Sequence, residues 1–409
     1  MTSGTVSPGA LQGIRVLDLS RVLAGPWAGQ TLADLGARVI KVERPGAGDD
    51  TRHWGPPYLK DLEGRDTDQA AYFLAANRGK QSVTIDFTRS EGQQLVRQLA
   101  GASDILLENF KVGGLARYGL DYPSLQAINP GLIYCSITGF GQDGPYRDRP
   151  GYDFMIQGMG GLMSLTGDPD GQPQKVGVAL ADVMTGLYAT IGVLAALNHR
   201  QRTGEGQYID LALLDVQVAT LANQAMNYLV SGRAPGRLGN AHPNIVPYQA
   251  FATRDGHIII AVGNDRQFAR LCQRLQHPEW ATDPRFVRNA DRVTYREELI
   301  TALAEVIATA DSGHWLTELE KAGIPCGPIN GLEQVFADPQ VRQRGMEVEL
   351  PHPRAGQVPL VGSPLNLSVT PVTYHRPPPS LGQDTAAVLG DVLGLEEAEL
   401  ARLRAEGVI

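Results

Sequence analysis

Residues 13–140 alternate between short apolar segments and helical patterns, and this alternation limits the folds that the chain can adopt. Strand-like segments separated by helices form a parallel sheet with helices on its faces. We therefore predict one doubly wound α/β domain over residues 1–215. The helical patterns occupy residues 27–35, 90–101 and 122–127. The predicted strands lie in GIRVLDLS (13–20), ARVIKVER (37–44), SVTIDF (82–87), DILLENF (104–110) and LIYCSITGF (132–140).

The texture of the sequence changes after residue 215. The segment GRAPGRLGNAHPNIVPY, residues 232–248, has a Gly, Pro and Asn content that is typical of a linker or site loop, and we assign residues 216–245 to this linker and loop. A smaller α+β domain is predicted for residues 246–335, because Asp255-Gly256 forms a turn signal between two strand-like runs in FATRDGHIIIAVG. Further helical patterns run through residues 265–275, 295–321, 384–393 and 395–406.

Composition excludes several classes of function. A hydrophobic content of 43% and a charged content of 20% are ordinary for a soluble globular protein. The net charge of −8 and the lack of a Lys/Arg cluster argue against a nucleic-acid partner. The three cysteines are too far apart for a disulfide framework or a zinc site, which fits a reducing compartment. Because the opening residues resemble no targeting signal, we expect a cytoplasmic location.

Asp182 is the only charged residue in the apolar segment VGVALADVMTGLYATIGVLAAL, residues 176–197. A membrane span has this length, but an aspartate within it costs roughly 3 kcal/mol and the interspersed glycines favour a helix packed inside a protein. We therefore expect no membrane association. Asp182 could instead cap a helix running from 183 to 197, which this segment alone favours. A third interpretation is a nucleophilic carboxylate presented at a helix start.

The first strand-helix-strand unit also invites a dinucleotide-binding interpretation. Glu43 ends the second predicted strand, where a ribose-binding acid often lies. However, the intervening turn reads AGPWAG and lacks the G-x-G-x-x-G pattern. Arg44 follows directly, and its cation suits a phosphate better than a ribose hydroxyl.

Five longer motifs occur along the chain: GIRVLDLSRVLAGPWAGQTLADLGARVIKVERPGAGDDTR, NRGKQSVTIDF, ENFKVGGLARYGL, LADVMTG and HRQRTGEGQYIDLALLD. Together these motifs resemble the class III CoA-transferase family, which also contains the α-methylacyl-CoA racemases. The resemblance implies a Rossmann-like large domain and a smaller one, with residues 336–409 returning to complete the large domain. It also implies a ring-shaped chain in an intertwined homodimer.

Within this resemblance, Asp182 is the catalytic nucleophile. Its carboxylate would attack an acyl-CoA thioester to give a mixed anhydride, and the released CoA thiolate would then form an aspartyl-CoA thioester. An incoming carboxylate would capture that thioester before the thiolate returns. Coenzyme A is thus a substrate and product, and neither a resident cofactor nor a metal is implied.

The resemblance also assigns CoA contacts. Cationic side chains among them suit phosphate oxygens. The implied contact residues are Leu23, Ala24, Arg44, Ile85, Asp86, Phe87, Thr88, Asn109, Phe110, Lys111, Arg117, Arg149, Pro150, Gly151 and Tyr152.

Substrate choice depends on fewer residues. Related racemases have His where this chain has Tyr152, and a phenol exchanges protons poorly near neutral pH, so racemase activity is disfavoured. The loop LGNAHPNIVPYQAF lacks the glycine run of oxalate-using formyl-CoA transferases. Together with GNDRQF and RPPPSLGQDT, it is most similar to succinyl-CoA:glutarate and related dicarboxylate transferases. Candidates for binding the remote carboxylate are Arg21, Tyr152, Arg237, His242 and Asn244. A proton-moving isomerase and a formyl-CoA:oxalate-type transferase remain the alternatives.

Overall fold

The computed structural model describes residues 9–409. Residues 1–8, which belong to the segment where we expect no targeting signal, lie outside the described residues. The strands are β1 (Arg15–Asp18), β2 (Arg38–Glu43), β3 (Tyr58–Lys60), β4 (Asp66–Ala70), β5 (Lys80–Thr84), β6 (Ile105–Glu108), β7 (Ile133–Thr138), β8 (Tyr208–Ala212), β9 (Tyr248–Ala252), β10 (His257–Ala261), β11 (Cys326–Pro328), β12 (Glu347–His352) and β13 (Gly356–Val361).

Helices follow most of these strands. They are α1 (Ala24–Asp34), α2 (Ala71–Leu74), α3 (Ser90–Gly101), α4 (Tyr122–Gln126), α5 (Asp153–Met159), α6 (Leu162–Leu165), α7 (Leu180–Thr203), α8 (Leu213–Ala219), α9 (Ala222–Ser231), α10 (Asp265–Arg274), α11 (Asn289–Thr294), α12 (Arg296–Ile307), α13 (Ser312–Lys321), α14 (Leu332–Ala337), α15 (Pro339–Gln343), α16 (Thr385–Leu393) and α17 (Glu397–Ala405). Short 3-10 helices cover Asp50–His53, Ala116–Tyr118 and Pro278–Ala281.

The largest sheet has the strand order β5-β2-β1-β6-β7-β8, and its strands pair in parallel. Numbered within the sheet alone, this is the order 3-2-1-4-5-6 of a doubly wound α/β fold. The predicted α/β class with a parallel sheet is therefore confirmed. The order reverses between β1 and β6, and ligands of such sheets bind beyond the carboxyl ends of the strands at that point.

Most predicted elements are present, with shifted ends. Helix α3 has the predicted bounds. Helix α1 begins at Ala24 rather than at residue 27, because Pro26 lies in the first turn, where its missing N–H costs nothing. The hairpin is confirmed, since β9 and β10 pair antiparallel across the Asp255-Gly256 turn. The helical region 295–321 divides into α12 and α13. The three cysteines are free thiols.

The described residues form two compact units. The first unit holds residues up to 162, residues 176–225 and residues 340–409. Its parallel sheet is covered on one face by α3, α16 and α17 and on the other by α1 and α7. The second unit holds residues 163–175 and 226–339, and its core joins β9 and β10 to α10, α12 and α13. The boundaries at 215, 245 and 335 stay predictions.

Helix α7 contains most of the apolar segment that surrounds Asp182. It is long and apolar enough to cross a membrane by length and composition. However, its small residues, including Gly186 and Ala189, are buried in the core of the first unit. This burial accounts for the segment as a core helix of a soluble α/β fold. The opposite side of the helix exposes larger apolar side chains, which we call the α7 outer face: Leu187, Tyr188, Ile191 and Leu194.

Two buried ion pairs lie close to the carboxyl ends of β1 and β2. The Lys41 ammonium contacts the Asp49 carboxylate at 2.9 Å, and the Lys80 ammonium contacts Asp18 at 2.9 Å. These four side chains are fully excluded from solvent. Lys41 Nζ also donates a hydrogen bond to the carbonyl oxygen of Ser20 at 2.8 Å. Removing one partner from such a pair leaves an uncompensated buried charge, so the pairs hold the loop after β1 in one geometry.

Candidate active site

Asp182 lies in the first turn of α7. The helix begins at Leu180, so the interpretation of Asp182 as the N-cap of a helix from 183 to 197 is wrong. Ala179 occupies the N-cap position and supplies no side-chain hydrogen bond. Asp182 is partly buried, and within residues 9–409 no donor is hydrogen-bonded to its carboxylate. A carboxylate that is not consumed by capping is available to react.

The cap of this helix comes from another element. Asp153, the first residue of α5, accepts hydrogen bonds through Oδ1 from the backbone N–H of Ala181 at 2.8 Å and of Asp182 at 3.4 Å. Gln157 Nε2 donates to the other Asp153 oxygen at 2.8 Å and to the carbonyl oxygen of Val178 at 3.3 Å. Asp153 therefore accepts two free N–H groups of the first turn, and the Asp182 carboxylate is not needed as the cap.

Burial, followed by the negative charge of Asp153, raises the pKa of Asp182 to about 7. A helix N-terminus favours an anion, but the loss of water outweighs that effect here. The charges of Asp182 and Asp153 also add to burial in raising the pKa of Tyr72, which places its phenol in the same electrostatic environment. Perturbed carboxylates of this kind are concentrated at functional sites.

Helices α1 and α7 touch closely one turn beyond Asp182. A Cβ atom added to Gly186 would lie 2.7 Å from the carbonyl oxygen of Ala24 and 2.9 Å from the Cβ of Trp27. Only glycine allows this approach. The contact brings the first turn of α1 against the helix that carries Asp182.

The structure brings together several of the residues to which CoA contacts were assigned. Phe87 packs edge-to-face against Phe110 and Tyr118, with 5.7 Å between ring centroids in each case. The Arg117 guanidinium lies 4.6 Å from the centroid of the Tyr118 ring. This aromatic cluster joins the predicted contact segments 85–88, 109–111 and 117 in one region.

The first of these segments continues from β5. Ile85 is buried, and Asp86 accepts hydrogen bonds from both the N–H and the hydroxyl of Thr88. Lys111 is exposed, beyond β6. Both segments therefore follow the carboxyl ends of parallel strands, where this fold class binds ligands.

The loop after β1 meets the loop after β6 at the point where the strand order reverses. Arg21 N–H donates to Asn109 Oδ1 at 2.9 Å, and Asn109 Nδ2 donates to the Arg21 carbonyl oxygen at 2.7 Å. The Arg21 guanidinium lies 3.0 Å from the Asp50 carboxylate and 5.3 Å from the centroid of the Phe110 ring. Leu23 and Ala24, which follow, are buried.

Of the remaining assigned CoA residues, Gly151 is half-buried and the other four are exposed. Arg44 follows β2 and faces solvent, and the Arg149 guanidinium lies 4.1 Å from the centroid of the Tyr146 ring. Pro150 is exposed, and Tyr152, which is 61% exposed, precedes the capping residue Asp153.

Gly139 and Gly151 close the loop that contains residues 140–150. A Cβ atom added to Gly151 would lie 2.3 Å from the Cα of Gly139. We call this contact the glycine neck. The neck lies directly before Tyr152 and Asp153.

Three assigned acceptor-binding residues belong to the second unit. The Arg237 guanidinium donates to the carbonyl oxygens of Asp168, Pro169 and Gly171. His242 Nδ1 accepts the backbone N–H of Asn244 at 3.0 Å.

The amide of Asn244 also pairs with that of Asn227, at 3.1 Å for the donation from Asn227 and 3.2 Å for the reverse. Burial, followed by the charge of Arg296, lowers the pKa of His242, so its imidazole is neutral near pH 7. The charged side chain of Arg237 and the neutral side chains of His242 and Asn244 thus belong to one unit.

A model of the family described as CoA-transferase family III matches residues 11–385. The chain belongs to this family. It is 54% identical to the succinate–glutarate CoA-transferase of Agrobacterium fabrum, over 94% of this chain and 96% of the relative. It is 45% identical to the succinyl-CoA:glutarate CoA-transferase of Mus musculus, over 98% and 90% of the two chains. The crystal structure of a CAIB/BAIF family protein from Brucella suis matches with a TM-score of 0.83 and 53% identity, covering 94% of this chain and all of that one.

Membership of family III makes the dinucleotide interpretation of Glu43 untenable, and the structure gives the physical reason. The Glu43 carboxylate is buried and lies 2.7 Å from the Arg52 guanidinium, so it has no oxygen left for a ribose. The sequence reasoning also missed Asp153 in this CoA-transferase family member. In the sequence Gly151-Tyr152-Asp153, only Gly151 and Tyr152 were assigned a role, although Asp is a strong capping residue.

Proposed function

We propose that this family III enzyme transfers CoA from succinyl-CoA to a dicarboxylate, with glutarate as the acceptor. The observation that carries the proposal is the unbonded Asp182 carboxylate in the first turn of α7, with its pKa raised to about 7 by burial and Asp153. The names of the two transferases to which this chain is similar support succinyl-CoA and glutarate as the substrates.

The reaction runs through two covalent states of Asp182. A carboxylate oxygen of Asp182 attacks the succinyl thioester carbonyl, the C–S bond breaks, and CoA leaves as a thiolate. The thiolate attacks the Asp182 carbonyl of the mixed anhydride and releases succinate with the bridging oxygen. A glutarate oxygen then attacks the aspartyl thioester carbonyl, the C–S bond breaks, and the CoA thiolate leaves a second mixed anhydride. The thiolate finally attacks the glutaryl carbonyl of this anhydride, which forms glutaryl-CoA and leaves the bridging oxygen on the restored Asp182 carboxylate. No proton is gained or lost over the cycle.

The desolvation of Asp182 suits this chemistry. A partly buried carboxylate is a stronger nucleophile than a hydrated one, and an environment with little water protects the anhydride from hydrolysis. The raised pKa means that part of the population is protonated at neutral pH. The attacking form is the anion.

CoA is proposed to bind over the carboxyl ends of β1, β2, β5 and β6. Exposed cations at Arg44, Lys111, Arg117 and Arg149 would contact its phosphates. The remaining proposed contacts are Leu23, Ala24, Ile85, Asp86, Phe87, Thr88, Phe110, Pro150, Gly151 and Tyr152, and Asn109 is proposed to support this site through the loop after β1. CoA is a substrate and product in this scheme, without a resident cofactor.

The candidates proposed to bind the acceptor's remote carboxylate are Arg21 and Tyr152 in the first unit, and Arg237, His242 and Asn244 in the second. Arg21 and Arg237 are already engaged, the first by Asp50 and the second by three carbonyl oxygens. A glutarate carboxylate would therefore compete with Asp50 for Arg21. Replacing Arg21 or Arg237 by alanine is expected to raise the KM for glutarate more than the KM for succinyl-CoA. Arg233→Ala, an exposed arginine of the same segment as Arg237, is the control.

The α7 outer face supports a proposed homodimer, and we place the enzyme in the cytoplasm. Ile191 is 60% exposed on this face, and apolar side chains grouped in this way mark an interface. The intertwined arrangement implied by the family resemblance would cover it. Light scattering of the native protein and of Ile191→Lys tests the oligomeric state.

Acyl exchange followed by mass spectrometry tests the proposed reaction. Native protein is incubated with succinyl-CoA and, separately, glutarate, malate, itaconate, oxalate and a monocarboxylate. We expect glutaryl-CoA from native protein and none from Asp182→Ala. Asp215→Ala removes an exposed carboxylate from the first turn of α8 and should retain exchange.

Isotope transfer tests the covalent route itself. Glutarate labelled with ¹⁸O at its carboxylates should leave one labelled oxygen in the peptide that contains Asp182. Exchange without label in that peptide would contradict the aspartyl route. Loss of α-deuterium from labelled succinyl-CoA without an acceptor would instead favour the isomerase alternative.

A further inference from the structure

Val22 occupies a backbone conformation that a β-branched residue rarely adopts. Its φ is 71°, in the left-handed region that favours glycine. Val22 lies between β1 and α1, directly before Leu23 and Ala24. Other parts of the structure must hold a residue in such a conformation, and residues held in this way are concentrated at functional sites.

Three side chains hold the backbone around Val22. Asn109 bonds both the N–H and the carbonyl oxygen of Arg21, at 2.9 and 2.7 Å. Asp49 Oδ1 accepts the N–H of Val22 itself at 3.3 Å. Lys41 donates to the carbonyl oxygen of Ser20. Polar groups of three successive residues are thus fixed from outside the loop.

These contacts join two loops at the reversal point of the sheet. Asn109 follows β6, whereas Val22 follows β1, and β1 and β6 are the adjacent strands where the order reverses. Both oxygen and nitrogen of the Asn109 side chain are engaged by Arg21. Each of these two atoms therefore already has one backbone partner in the protein.

The loop that Asn109 holds continues into the first turn of α1, which contacts α7, the helix of Asp182. Ala24, two residues after Val22, has its carbonyl oxygen against Gly186 of α7. A shift of residues 21–24 would change the position of the first turn of α1 relative to the helix of the nucleophile. In the proposed function, Leu23 and Ala24 also contact CoA, so the same shift would weaken CoA binding.

We propose that Asn109 is a positioning residue that holds Val22 in its left-handed conformation and thereby sets residues 21–24 for CoA binding beside Asp182. The inference rests on the proposed function, which assigns Leu23 and Ala24 of that loop to CoA binding. It differs from a direct CoA contact by Asn109, because the effect of Asn109 passes through the conformation of Val22.

The test combines Asn109→Ala with Val22→Gly. Glycine adopts the left-handed conformation without the steric cost of a β-branched residue. Asn109→Ala alone should weaken CoA binding, measured by titration calorimetry, and raise the KM for succinyl-CoA, each roughly 5- to 30-fold. The double variant Asn109→Ala/Val22→Gly should recover both values to within about threefold of native protein. Val22→Gly alone should remain close to native protein.

Asn129→Ala is the matched control. Asn129 also connects loops through its amide, which donates to the carbonyl oxygens of Ala100 and Ser103. However, Asn129 lies before β7, at the amino ends of the parallel strands rather than at their carboxyl ends. The Asn129→Ala substitution should lower thermal stability without changing CoA affinity. Because calorimetry needs no turnover, the positioning role is tested even if the native protein fails to exchange glutarate.

Two outcomes would overturn the inference. Unchanged CoA affinity in Asn109→Ala would remove Asn109 from any role at this loop. Weakened affinity that Val22→Gly does not restore would show that Asn109 acts on CoA directly.

Discussion

Asp153 caps the helix that carries Asp182 and also repels the Asp182 carboxylate. Its Oδ1 accepts the N–H groups of Ala181 and Asp182, which holds the start of α7, and its charge raises the pKa of the Asp182 carboxylate. The same carboxylate therefore fixes the start of the helix that carries the nucleophile and raises the pH at which that nucleophile ionises.

The activity should depend on the ionisation of Asp182. Because the attacking form is the anion and its pKa is raised to about 7, kcat/KM should rise about tenfold per pH unit below pH 7 and level off above it. A pH profile of succinyl-CoA consumption with excess glutarate measures this limb. A flat profile between pH 5 and pH 8 would contradict the raised pKa.

Asp153→Asn should move that limb to lower pH. The amide oxygen can still accept the N–H of Ala181, while the negative charge beside Asp182 is removed. The pKa of Asp182 therefore falls, and burial alone keeps it above the ordinary value. Asp215→Asn removes an exposed charge elsewhere in the same unit and should leave the limb in place.

Asp182→Asn should stabilise the protein at pH 8 while abolishing exchange. A carboxyl group with a raised folded-state pKa binds its proton more tightly in the folded state, so its ionisation lowers stability as pH rises from about 4 to about 7. Removing the charge should restore on the order of 2 kcal/mol at pH 8, after allowance for partial exposure.

Thermal unfolding at several pH values measures this effect. The difference between Asp182→Asn and native protein should shrink as the pH falls from 7 towards 4. A difference that does not depend on pH would assign the stabilisation to packing instead of charge.

Gly186→Ala and Gly192→Ala should have opposite effects on stability. The added methyl at Gly186 meets the Ala24 carbonyl oxygen at 2.7 Å, whereas at Gly192 its closest neighbour is Ile209 at 3.5 Å. Separating α1 from α7 should cost about 1–3 kcal/mol. The same change at Gly192 should stabilise the helix by about 0.5–1 kcal/mol. Chemical denaturation compares the two, and equal effects would contradict the close helix contact.

The sequence predicted the elements whose signal is local. The strands β1, β2, β6 and β7 and helix α3 follow from apolar runs and periodicity. The start of α7 could not be predicted in this way. Its cap is Asp153, which is 29 residues away in the chain from Asp182, so residues 176–197 alone made Asp182 look like the cap.

The candidate site shows the same limit. Asp182 is identifiable because a charge in an apolar run is unusual. Asn109 was assigned from resemblance as a CoA contact, but its amide bonds to Arg21, 88 residues away, depend on the pairing of β1 with β6. Likewise, nothing local indicated that Arg237 would bind the carbonyl oxygens of residues 168–171.

The glycine neck separates the position of Asp153 from the sequence of the loop before it. Residues 143–150 are exposed, and both ends of the loop are fixed by the contact of Gly139 with Gly151. Insertions or exchanges within that loop would leave Asp153 and the start of α7 in place. The sequence of residues 143–148 can therefore change while the nucleophile keeps its position.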